Sequence, residues 1–280
     1  VNIDLAKIRD LKGLVATVSI TGDVKPQFSH SLSNLRDFNS RNDLTNIEYR
    51  YFEAKLVEAG RDAVAKHALK EGYDFFLMID ADAGPFPDTA LVKLLWNTFV
   101  THPFFDVMGV YAQLKQAPYL PVIDTGTGTW EPWMPGAGIL EVIRTGGHFL
   151  LVKTPILRRF GPPWFRTRIP YSPAKAFREL DNFARCKLDG KNPLQSHPEW
   201  ETLLAQAKAE STPESSESVH IGEDSGFCDA VKAAGGRIGV DTDIIAGHIG
   251  TKVIKPEDLW DEIVKDTKKQ YRAVGVNDYE

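Results

Sequence analysis

Apolar residues fall along this chain in short unbroken blocks, separated by polar stretches in which apolar positions recur at helical spacing. Strands buried on both faces, alternating with amphipathic helices, produce that pattern. Leu14-Val15-Ala16-Thr17-Val18-Ser19-Ile20 is the first block, stopped by Thr21-Gly22-Asp23. The residues that follow, through Asn46, are rich in Ser, Asn and Arg and read as a loop region facing a ligand. From Tyr51 to Glu71, Leu56, Ala63, Val64, Ala68 and Leu69 recur at helical spacing, and Gly72 closes the segment. The second strong block, Phe75-Phe76-Leu77-Met78-Ile79, ends abruptly in Asp80-Ala81-Asp82. Strand, helix and strand form a βαβ start.

The alternation continues. Pro85-Phe86-Pro87 is a turn into a helix over 89–99 with Asp88 as its N-cap, and 106–112 is the next strand. Residues 120–137, rich in Gly, Thr, Pro and Trp, read as a loop or hairpin linker. Two short strands around Arg144-Thr145-Gly146-Gly147 are expected within 139–152, then a short helix over 154–160. From 166 to 221 the chain turns polar and proline-broken, ending in Glu210-Ser211-Thr212-Pro213-Glu214-Ser215-Ser216-Glu217-Ser218. This reads as an acceptor-side insertion with a mobile end. A helix over 224–234 carries Phe227, Ala230 and Val231 on one side and is capped by Gly235-Gly236. A strand follows at 237–240, then Asp241-Thr242-Asp243, and 254–280 is a C-terminal helical segment. The fold class is α/β, a mainly parallel mixed sheet flanked by helices, in one domain over 1–280. In such sheets ligands bind beyond the carboxyl ends of the strands, where Asp80 and Asp82 fall.

Composition narrows the field. Lys and Arg number 33 against 38 Asp and Glu, a formal charge of −5, which gives no overall pull towards nucleic acid or an anionic membrane. Local basic clusters remain at Arg158-Arg159 and Arg166-Thr167-Arg168. Cys186 and Cys228 fit no metal-ligand spacing and read as thiols in a reducing compartment. No apolar run reaches the ~18 residues of a membrane span, so the expected location is cytoplasmic.

Charged residues at the end of a buried strand call for compensation by a ligand or cation. Asp80 and Asp82, at i and i+2, can converge on a hard dication such as Mg²⁺, which takes one or two carboxylates and completes its shell with water and phosphate oxygens. A solvated loop is the other reading. His248, between Gly247 and Ile249-Gly250, is either a packed or surface histidine or an imidazole ligand that shifts preference towards Mn²⁺. Its glycine neighbours let backbone approach a ligand. Glu223-Asp224 opens a helix, where the pair either caps the dipole or supplies a general base.

Taken in order, five motifs resemble GT-A fold glycosyltransferases, most of all the family-2-like enzymes of bacteria and their phages. They are Asp80-Ala81-Asp82, Gly146-Gly147-His148-Phe149-Leu150-Leu151, Pro162-Pro163-Trp164-Phe165, Gly222-Glu223-Asp224-Ser225-Gly226-Phe227-Cys228 and Gly247-His248-Ile249-Gly250. The resemblance implies transfer of a sugar from a nucleotide diphosphate sugar, UDP-sugar favoured, to a hydroxylated acceptor, with Mn²⁺ or Mg²⁺. Asp82 and His248 would be metal ligands, with Asp80 a weaker one or facing the donor ribose beside Ala81. Thr17 and Ser19 would contact base and ribose. Arg61 would sit near base or diphosphate, the plainer reading being a solvated helix face. Gly146 and Gly147 would admit donor or acceptor, and Trp164 would offer a sugar platform or simply pack in the core. Tyr111, Gln113 and Lys115 could line the same cleft. Asp224 would be the base in an inverting enzyme; Ser225-Gly226 departs from the further acidic residue of many relatives. The acceptor is a glycan, a small molecule or a hydroxymethylated base in phage DNA, the last suggested by Arg166, Arg168, Lys175, Arg178, Arg185, Lys187 and Lys191. Two other classes stay open. One is a nucleotidyltransferase, for which Thr21-Gly22-Asp23-Val24-Lys25 is a poor phosphate loop; the other is a non-catalytic sugar-binding module.

Overall fold

The computed structural model describes residues 3–20, 22, 24–54, 56–114, 119–126, 131, 133–166, 222–249 and 253–254. β1 (Gly13–Ser19) is buried at every position and β3 (Phe75–Asp80) at all but its last, as unbroken apolar blocks require. They are adjacent in a seven-stranded sheet of order β2-β1-β3-β8-β4-β9-β6. The other members are β2 (Ile47–Glu53), β4 (Val107–Tyr111), β6 (Ile139–Val142), β8 (Phe149–Lys153) and β9 (Ile238–Ile245). β2, β1, β3, β4 and β9 run parallel, while β8 and β6 run against their neighbours. The expected α/β fold with a mainly parallel mixed sheet is the one observed. Off the sheet, β5 (Ile123–Asp124) pairs antiparallel with β7 (Arg144–Thr145), and β10 (His248–Ile249) with β11 (Val253–Ile254).

Two apolar layers sandwich the sheet because successive strand residues point to opposite faces. Phe75, Leu77 and Ile79 join Leu151 in one core with Phe28 and Leu35 of α1 (Pro26–Arg41) and Leu91 and Leu95 of α3 (Ala90–Trp96). Phe76 and Met78 join Leu150 in the other, with Val64 and Ala68 of α2 (Val57–Glu71) and Phe227 and Val231 of α4 (Glu223–Ala233).

Four local expectations are corrected. The supposed ligand-facing loop through Asn46 is mostly α1, whose buried face Phe28, Ser31, Leu35 and Asn39 has helical spacing but half polar content. Those two polar residues are partnered: Ser31 Oγ accepts from Phe86 N at 3.4 Å, and Asn39 Nδ2 donates to the Tyr49 hydroxyl at 2.8 Å. Residues 51–53 belong to β2, an edge strand too exposed to carry an apolar block, so α2 starts only at Val57. Asp88 is not the N-cap of α3; Thr89 stands there without a side-chain cap bond, and the helix ends in a wider π turn at Asn97–Thr101. β9 runs through Asp241, whose buried carboxylate accepts from Asn97 Nδ2 at 2.6 Å and from Asp243 N at 2.9 Å.

α4 ends as expected: Gly235 takes φ +74°, and Gly236 N reaches back to Val231 O at 2.8 Å. Cys228 is a buried free thiol. Cys186, the 166–221 insertion after its first residue and the C-terminal helix beyond 254 lie outside the described residues. No described helix is long and apolar enough to cross a membrane.

Candidate functional site

At the carboxyl edge of the sheet, the chain leaves β3 at Asp80 and turns through residues 82–85 against residues 247–249. Gly84 N donates to Gly247 O at 2.8 Å, Gly247 N to Pro85 O at 2.9 Å and Ile249 N to Asp82 O at 2.8 Å. A Cβ on Gly247 would lie 2.5 Å from Gly84 O. The glycine before His248 therefore serves contact between two backbone segments, where sequence suggested approach to a ligand.

That contact sets His248 beside Asp82, with Nε2 3.7 Å from Oδ1. His248 Nδ1 donates to the Gln113 carbonyl at 2.8 Å, which leaves Nε2 of the neutral ring as the lone-pair nitrogen on the Asp82 side. A third donor enters from the start of β8. His148 is buried, its carbonyl accepts from Asp80 N at 2.9 Å, and its ring stands edge-on to His248 with centroids 4.3 Å apart. One ligand atom each from Asp82, His148 and His248 lies within 4.8 Å of the other two. One carboxylate oxygen and two imidazole nitrogens fit a divalent first-row metal. The nitrogen of His248 is already oriented by a carbonyl in the way that metal-bound histidines are.

Beside this triad, Arg61 of α2 is 3% exposed and not on a solvated face. Its Nη2 donates to Asp80 Oδ2 at 2.8 Å and its Nη1 to Glu223 Oε1. Gly147 makes this possible, because a Cβ there would occupy the place of the guanidinium. Burial works against the Arg61 charge, but Asp80, Glu223 and Asp224 more than offset it and hold the group more firmly protonated. Burial pushes the Asp80 carboxyl up to about 6, with Arg61 opposing and Asp82 adding to the rise. Glu223 is likewise raised by burial against the pull of Arg61. Asp224 accepts from Ser225 N at 2.7 Å through Oδ1 and from Gly147 N at 3.3 Å through Oδ2.

These groups line one cleft of 460 Å³. It holds Arg61, Asp80, Asp82, Gly146, Gly147, Glu223, Asp224 and His248 of the residues singled out from sequence. Within the cleft, Asp80, read as a weaker metal ligand or as facing the ribose, is bound to Arg61, and His148 stands beside Asp82 and His248. Thr17 is buried and borders a separate cavity with Phe28, Tyr49 and Tyr51. Ser19 is buried, its Oγ accepting from Gly22 N at 3.1 Å. Ala81 is buried and gives its amide to Val18 O. Trp164 is core, not platform: it is 7% exposed and its Nε1 donates to Leu157 O at 3.0 Å. Tyr111 points away from the cleft, its hydroxyl donating to Trp133 O, because alternate residues of that strand, Val110 and Ala112, face it. Gln113 contributes only its carbonyl, and Lys115 lies outside the described residues. His148 was within reach of sequence reading, as a histidine between Gly146-Gly147 and an apolar block beside the aspartate strand.

No family model and no curated protein sequence matches the chain. Solved structures do. A197 from STIV aligns over 89% of this chain and 92% of its own, with TM-score 0.52 and 18% identity. The two chains share a fold. Weaker likenesses include a mannose-1-phosphate geranyltransferase from Thermus thermophilus, with TM-score 0.40 and 14% identity over 84% of this chain and 76% of that one. A glycosyltransferase involved in the glycosylation of the major capsid of PBCV-1 has TM-score 0.31 and 11% identity over 54% and 68%.

Proposed function

We propose that this chain is a metal-dependent glycosyltransferase that moves a sugar from a nucleotide diphosphate sugar, UDP-sugar favoured, to a hydroxyl acceptor. The observation that carries the reading is the charge balance of the cleft. Among its described lining residues, Asp80, Asp82, Glu223 and Asp224 face a single fixed cation, Arg61, which two of them already occupy. A diphosphate enters such a cleft only with a cation of its own, and Asp82 and His248 are residues that would hold it. A divalent ion there supplies charge neutralisation for a departing nucleoside diphosphate.

The remaining roles belong to the chain itself. Arg61 positions two carboxylates at once, Asp80 from β3 and Glu223 from α4. Asp80 presents its carboxylate to the cleft, where ribose hydroxyls would donate to it. Asp224 is the base in an inverting reaction, taking the acceptor proton on a carboxylate oxygen, since Glu223 is engaged with Arg61. Amides on both Asp224 oxygens keep it oriented.

The test is incubation with UDP-, GDP- and dTDP-hexoses and a panel of glycan, small-molecule and hydroxymethylated-DNA acceptors, with Mn²⁺ or Mg²⁺, following released nucleoside diphosphate and transferred sugar. Turnover is expected to be abolished by chelator and by Asp82→Ala, and lowered ~10²–10⁴-fold by Asp224→Asn with donor KM little changed. Binding of every donor without release would overturn the reading in favour of a sugar-binding module. Release of pyrophosphate from a nucleoside triphosphate and a sugar phosphate would overturn it in favour of a nucleotidyltransferase.

A further inference from the structure

The protein donors around the metal position are not those of an oxygen-only site. Asp80 is not among the clustered donors; its Oδ2 accepts from Arg61 at 2.8 Å, on the side of the cleft where Arg61 also meets Glu223. His148 stands in its place, within 4.8 Å of the donor atoms of Asp82 and His248. Its position is fixed by the sheet: it precedes Phe149, the β8 residue paired with Ile79, and its carbonyl accepts the Asp80 amide at 2.9 Å. It is 7% exposed. A buried imidazole set edge-on to a second imidazole and near a carboxylate is a poor apolar packing element, and two nitrogen donors with one oxygen form a chelating face.

We propose that His148 is the third protein ligand of the metal and that it makes the site selective for first-row transition dications such as Mn²⁺, Fe²⁺ or Co²⁺ over Mg²⁺. This rests on the reading above only in assigning Asp82 and His248 to a metal. Mg²⁺ favours oxygen ligands and dehydrates reluctantly, so exchanging two of its waters for imidazoles disfavours it, whereas the transition ions gain from nitrogen donors. Three protein donors would leave the rest of such an ion's shell to phosphate oxygens and water.

The experiment measures metal binding to the full chain without donor or acceptor. Titration calorimetry with Mn²⁺ and with Mg²⁺ gives the two affinities, and pulsed electron paramagnetic resonance of bound Mn²⁺ counts coupled ¹⁴N nuclei. The wild type is expected to prefer Mn²⁺ by more than about tenfold and to show two imidazole nitrogens. Outer-shell partners alone are worth ~10–100-fold in metal affinity, so His148→Gln, which removes a direct ligand, should weaken Mn²⁺ by about 100-fold and leave one nitrogen. His148→Asn serves if the glutamine variant melts abnormally, and the nitrogen count of the wild type needs no variant. One coupled nitrogen in the wild type, equal Mn²⁺ and Mg²⁺ affinities, or unchanged Mn²⁺ affinity in folded His148→Gln would each overturn the proposal. A protein that binds Mn²⁺ through two imidazoles yet turns over no nucleotide sugar would sink the transferase reading and leave this one standing. Sugar transfer with Mg²⁺ that is as fast as with Mn²⁺ and indifferent to His148→Gln would do the reverse.

Discussion

At the scale of single residues, Arg61 has the most at stake. A buried guanidinium between two largely buried carboxylates contributes little net stability as a set, but removing one member strands the others. Arg61→Met is expected to lower the unfolding free energy by about 3–5 kcal/mol in urea titrations, and adding Asp80→Asn to restore part of it. Asp80 also links stability to pH. Its folded pKa of about 6 lies above the ~3.9 of an unfolded aspartate, so the folded chain binds the extra proton between those values. That contribution is fully present below pH ~4 and is lost as pH rises through about 6. Urea midpoints of the wild type relative to Asp80→Asn, taken in chelator from pH 4 to 7, should fall across that window; a constant difference would contradict the assignment. Of these properties, sequence disclosed only that Arg61 and Asp80 were present. Their pairing depends on α2 lying over β3, and the spacing of either residue within its own segment says nothing of it.

Among elements, the site depends on how segments touch. Residues 82–85 and 247–249 lie against each other only because Gly247 lacks a side chain. Gly247→Ala should cost about 1–3 kcal/mol by overpacking and weaken Mn²⁺ binding, since His248 is displaced with its backbone; thermal melts and calorimetry on one sample check both. α2 makes a second junction one residue on from Arg61. The Asp62 carboxylate accepts from Trp164 N at 2.8 Å and Phe165 N at 2.9 Å, which anchors the corner after β8. Asp62→Ala should therefore lower stability by about 1–3 kcal/mol as two buried amides lose their acceptor. Strands β1, β3 and β4 were legible because burial on both faces demands consecutive apolar residues. α1 and β2 were not, because the helix buries Ser31 and Asn39 and the edge strand is half exposed.

For the molecule as a whole, a metal bound by the folded state alone stabilises it by mass action, about 2.7 kcal/mol at a hundredfold excess over Kd. Mn²⁺ is expected to raise the melting temperature, chelator to reverse the rise, and Asp82→Ala to abolish it; a melt indifferent to Mn²⁺ would leave the Asp82, His148 and His248 cluster without a metal role. The sequence by itself determined the α/β class and the presence of carboxylates at a strand tip. Both follow from local rules: apolar blocks mark buried strands, and a carboxylate beside such a strand must be compensated by a partner, a ligand or water. Tertiary structure alone decided which groups meet there. Asp82, His148 and His248 come from three distant segments, Arg61 and Glu223 from two more, and Asp80 shares the segment of Asp82. Strand order and register brought them together, with β8 inserted antiparallel between β3 and β4. Contacts of that kind depend on how the whole chain packs, so no local pattern of residues encodes them.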